Sequence, residues 1–113
     1  IGHSSFSKNT YDLYDAINEE YNYINKNYSK NCPNIAVARI TWEIVFVNMM
    51  IVAGYYDKQV VKDVQTFARK HLLEVWKCKY ISKLRKVQIS LFVVNYLVYT
   101  WFYIEYKKKY PMA

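Results

Sequence analysis

The stretch IAVARITWEIVFVNMMIVAGYY, residues 35–56, carries only Arg39 and Glu43 as charges. Its apolar residues fall on every side of a helical wheel, and a helix apolar all round is expected to be buried all round. From about residue 40 to residue 56 it reads as the central helix of an all-α domain, with Gly54 and Asp57 marking its end. The run is near the length of a membrane span, but after Glu43 the uncharged part is too short for one.

Upstream, Tyr14, Ile17, Tyr21, Ile24 and Tyr28 recur at spacings of three and four from a cap at Asn9 or Thr10, which predicts a first helix. Asp12 and Asp15 near its start and Lys26 and Lys30 near its end follow the order a helix dipole favours. Pro33 disfavours helical geometry in its predecessor, so a new helix starts at Pro33 or Asn34. Downstream, Val60, Val64, Phe67, His71 and Val75 form an apolar stripe with Lys62, Arg69 and Lys70 opposite, which predicts one helix to about Cys78. Residues 81–109 hold an uncharged run, VQISLFVVNYLVYTWFYI at 87–104, between two lysine- and arginine-bearing flanks. Two readings stand: a tail anchor, or a buried or groove-lining helix. The second is favoured, because Gln88, Ser90, Asn95, Thr100 and several tyrosines suit a bilayer poorly.

With 113 residues, the chain fits a single domain over 1–113. It opens at Ile1, shows no secretory-signal pattern, and reads as a trimmed or incomplete chain. Gly2 and Gly54 are the only glycines, so no GxGxxG or Walker loop exists to cradle a phosphate. Cys32 and Cys78 lack metal-ligand spacing; free thiols are expected, with a disulfide between protomers as the alternative. His71 has no evident catalytic partner, and the adjacent Glu19 and Glu20 point to different sides of a helix. These features predict a non-enzymatic protein with no metal and no cofactor. The net charge of +7 includes a cluster of Lys77, Lys79, Lys83, Arg85 and Lys86 around Tyr80. No helix-turn-helix or base-stacking signature accompanies it, so it reads as a solvated or membrane-facing patch, not a nucleic-acid site.

The segment Ile40-Thr41-Trp42-Glu43-Ile44-Val45-Phe46 resembles the first homology motif of the Bcl-2 family, an apolar residue followed by Asn-Trp-Gly-Arg and an aliphatic run. His71-Leu72-Leu73-Glu74-Val75-Trp76 is similar to the family's second homology region. The first helix fits either the family's own first helix, the favoured reading, or an internal ligand-like motif with Tyr14, Ile17, Glu19 and Tyr21 at its key positions. Ile44 stands where the family carries its ligand-pairing arginine, Glu43 where it carries glycine, and Cys78-Lys79-Tyr80 where Gly-Gly-Trp normally follows. Such divergence with a retained outline, and the bias toward lysine, asparagine and tyrosine, is similar to virus-encoded homologues from large DNA viruses such as iridoviruses, asfarviruses or poxviruses.

The resemblance implies a Bcl-2-like bundle that inhibits apoptosis by sequestering the BH3 helix of host pro-apoptotic proteins in a hydrophobic groove. It implies a place in the host cytoplasm or at the outer mitochondrial membrane, with BH3 motifs as partners and a homodimer as a further option. On that expectation Ile44, Val47 and Ile51 form the groove floor, with Ile35, Arg39 and Glu43 before or beside them; Met49 and Met50 are able to adapt to ligand side chains, although core filling is the favoured role for both. Arg39 is expected to pair with Glu43 or with the ligand. Trp42 and Trp76 are expected to be structural anchors. The alternatives are a membrane-inserting helical protein and a dimeric scaffold that ignores BH3 peptides.

Overall fold

The computed structural model describes residues 8–28 and 34–110. Six helices are formed: α1 (Lys8–Tyr28), α2 (Ile35–Ala53), α3 (Lys58–Lys70), α4 (Leu72–Lys77), α5 (Lys83–Val94) and α6 (Tyr96–Lys109), and no strand occurs among the described residues. The expected all-α domain is therefore observed. Cys32 and Pro33, the expected break before the central helix, lie outside the described residues.

α2 is the axis of the molecule and packs against α1, α3 and α6. It begins at Ile35, directly after the start expected at Pro33 or Asn34, and ends where glycine permits. Gly54 takes a left-handed φ of 70°, and Tyr55 N–H reaches back to the Met50 carbonyl at 3.0 Å. That bond closes the helix in the manner only an unbranched backbone takes readily. Asp57 then starts α3 by accepting the Val60 N–H at 3.1 Å through Oδ1. Its Oδ2 accepts the Tyr11 hydroxyl at 2.7 Å, tying α1 to the start of α3.

Two expected helices are each broken in two. The stripe through Val75 bends at His71, separating α3 from α4. The 81–109 segment bends at Asn95, whose extended backbone ends α5 while its side chain accepts the Val98 N–H at 3.2 Å and starts α6. Gln65 and Arg69 of α3 explain the bend: their side chains donate to the Phe92 carbonyl at 2.8 Å and the Val93 carbonyl at 3.1 Å. Carbonyls orphaned at the end of α5 thus find partners, one of them cationic, on a neighbouring helix. α5 and α6 are each too short for a membrane span of about 20 residues, and the continuous tail-anchor outline is replaced by an elbow. By length and composition α2 alone among the described helices resembles a span, and eight of its residues are buried inside the bundle.

The core is built around Ile40, Ile44, Phe46, Val47 and Met50 of α2, joined by Val64 of α3, Val75 of α4, Phe92 of α5 and Tyr99 of α6. Phe92 and Tyr99 meet edge to face with ring centres 5.4 Å apart, a preferred aromatic geometry. The Tyr99 hydroxyl satisfies itself by donating to Asn48 Oδ1 at 2.6 Å.

Candidate functional site

The expected groove floor is not open. Glu43, Ile44, Val47 and Met50 are fully buried, because this side of α2 faces its bundle neighbours. Ile51 is half-buried and packed against the core, and Ile35 is half-buried between α1 and α2. Trp42 is 60% exposed and therefore no packed anchor. Trp76 is also exposed, although its indole N–H donates to Ser90 Oγ at 2.9 Å and pins α4 to α5.

Arg39 is spent inside the fold. Its Nε lies 3.2 Å from Glu43 Oε1, one helical turn on. Its guanidinium also covers the Phe67 ring at 3.9 Å and the Tyr21 ring at 4.8 Å, a cation–π arrangement. The residue thus joins α1, α2 and α3 around a buried carboxylate. Glu43 Oε2 has no hydrogen-bond partner. Burial raises the Glu43 pKa, and Arg39 only partly opposes this.

The sign of the resulting pH dependence follows from linkage. A folded pKa above the unfolded value, about 4.3 for glutamate, gives a contribution fully present below the unfolded pKa and lost as pH rises through the folded one. The stability of wild type relative to Glu43→Gln should therefore fall as pH rises above about 4, as urea denaturation at several pH values would measure. A difference that stays flat or grows with pH would contradict the burial of an ionised Glu43.

The open face of α2 is the neighbouring one. Val45, Met49 and Val52, at helical spacings of four and three, share a hollow of roughly 650 Å3 with Leu84 and Arg85 of α5 and Tyr103 of α6. Its volume lies in the range of ordinary ligand clefts. Val52 is 65% exposed, and the Arg85 guanidinium has no ion-pair partner among the described residues. Two further hollows are less free chemically. One of roughly 680 Å3 beside the elbow contains Ile51, but its Arg69 is committed to the Val93 carbonyl. One of roughly 290 Å3 between α1 and α2 contains Ile35 and Trp42, but its Arg39 is committed to Glu43.

Of the residues lining this hollow, sequence alone does not single out Val45 and Val52, marks Met49 as able to adapt to a ligand, and places Arg85 only in the basic cluster. Their spacing was visible, but the 44–47–51 stripe of the same helix is equally apolar, so periodicity could not choose between them. The charged Glu43 points inward, the reverse of what a lone charge in a greasy helix suggests, because Arg39 goes in beside it.

The geometry otherwise offers little reactive chemistry. His71 Nδ1 lies 2.8 Å from Glu74 Oε1, its ring against Phe67. Cys78 is a buried free thiol. No group of three or more His, Cys, Asp or Glu side chains is placed to hold a metal ion among the described residues. Compared with known proteins, the chain matches no family model, no curated protein and no solved structure.

Proposed function

We propose that this chain is a non-enzymatic helix-capturing module, a divergent virus-encoded Bcl-2-like inhibitor of apoptosis that sequesters host BH3 helices at the α2/α5/α6 groove. The observation that carries the proposal is the open Val45–Met49–Val52 stripe of the central helix, sharing its hollow with Arg85, which has no ion-pair partner among the described residues. An amphipathic helix laid in a groove is read through apolar anchors one turn apart. The stripe offers sites for such anchors. Arg85 offers a positive charge to the acidic residue of the ligand, taking the role that Ile44 cannot perform. Capture would take place in the host cytoplasm or at the outer mitochondrial membrane.

Titration of labelled BH3 peptides into the full chain, followed by fluorescence anisotropy, tests the reading. Binding should be uneven across a peptide panel, since apolar pockets must supply most of the discrimination. Arg85→Glu should weaken the best peptide about 10- to 100-fold, and replacing that peptide's aspartate by lysine should restore binding to the variant. A panel that gives no binding, or an Arg85→Glu variant that binds like wild type, sinks the proposal.

A further inference from the structure

The four lysines of the basic cluster around Tyr80, Lys77, Lys79, Lys83 and Lys86, do not line the groove, which takes only Arg85 from that cluster. We propose that this cluster, with the exposed apolar residues of α4 and α5 beside it, is a docking surface for an anionic lipid bilayer. Val75 turns α4 toward the core, leaving Leu73 and Trp76, one turn apart, on its outward side; Leu73 is 68% exposed. Trp76 is held over α5 by two bonds: its indole N–H to Ser90 Oγ at 2.9 Å, and Lys86 Nζ to its own carbonyl at 3.0 Å. These bonds fasten α4 against α5, on which Val87, one turn before Ser90, is also exposed. Tyr80, 83% exposed, sits in the connection between the two helices.

Charge identifies the partner. Lys77, Lys79, Lys83 and Lys86 are interspersed with these apolar groups along the chain, and residues 75–104 contain no aspartate or glutamate. Tryptophan and tyrosine prefer the headgroup level, aliphatic side chains enter the acyl boundary beneath it, and lysines attract acidic headgroups. A nucleic acid would use the lysines but would leave Leu73 and Val87 with nothing to cover them. The bilayer uses every member of the patch. α4 and α5 lie on the surface in this arrangement and neither crosses it.

Co-sedimentation of the full chain with phosphatidylcholine vesicles, with and without phosphatidylserine, is the test. Pelleting is expected only with phosphatidylserine and should weaken as salt rises. Each lysine is worth about fivefold in partitioning, so Lys79→Glu combined with Lys83→Glu should reduce it at least about 25-fold. Both residues are exposed, and unchanged circular dichroism would confirm that the variant folds. Leu73→Ser should also lower pelleting while leaving the charge intact, which separates apolar insertion from simple electrostatic adsorption. Equal pelleting with neutral vesicles, wild-type pelleting by the double variant, or tighter binding to a single-stranded oligonucleotide than to phosphatidylserine vesicles would overturn the assignment.

Discussion

Replacing Arg39 by alanine should lower the stability of the domain by about 3–5 kcal/mol at neutral pH, a shift in Tm on the order of 15 °C. The size comes from what is left behind. Glu43 is fully buried, and its Oε2 already lacks a partner. Without Arg39 neither carboxylate oxygen keeps its counter-charge. The same substitution removes the guanidinium from the faces of Phe67 and Tyr21, opening the seam where α1, α2 and α3 meet. Arg39→Lys should recover only part of the loss, because an ammonium cannot bond the carboxylate and stack flat on a ring as a guanidinium does. Adding Glu43→Gln to Arg39→Ala should also recover stability, because the stranded charge is then gone. Chemical denaturation of both single variants and the double variant measures the coupling. If the double variant is as unstable as the sum of the single losses, Arg39 is not acting through Glu43.

The second large effect is expected at Tyr99. Its ring is fully buried against Phe92, and its hydroxyl binds Asn48 across fifty-one positions of sequence. Tyr99→Ala should cost about 3–5 kcal/mol through lost apolar contact and the cavity left behind. Tyr99→Phe keeps the ring and isolates the hydrogen bond, so it should cost about 1–3 kcal/mol, the penalty of leaving Asn48 Oδ1 without its donor. Adding Asn48→Leu to Tyr99→Phe should return part of that cost, since an apolar pair leaves no orphaned acceptor. Thermal unfolding of these variants orders the effects. Near-equal losses for Tyr99→Ala and Tyr99→Phe would mean that the hydroxyl, not the ring, holds α6 to α2.

These residues also show where the sequence stops being informative. The helical class was legible from spacing, and the end of α2 from Gly54 and Asp57, because both signals are local. The bend at Asn95 was not. The run around it contains no proline or glycine, and the carbonyls it exposes are bonded by α3 side chains that no local window contains. The orientation of α2 was hidden for a different reason. A helix with apolar residues on all sides gives periodicity nothing to choose, so the face left open is set by which neighbours pack first and best. Trp42 illustrates the outcome: the motif's most conspicuous residue sits largely in solvent while Glu43 beside it is enclosed.

The elbow at Asn95 bears on how the chain assembles as it is made. Its stabilising donors, Gln65 and Arg69, precede the carbonyls they bond by 27 and 24 positions. A ribosome delivers α3 before α5, so the side chains that end α5 are already synthesised when Val93 emerges. Reversing that order, as a circular permutation beginning within the 78–82 connection would, leaves an unterminated apolar rod of about 1.5 Å per residue from Lys83 onward until α3 arrives. Synthesis in the native direction thus supplies the partners of the elbow before the uncharged 87–104 run is complete.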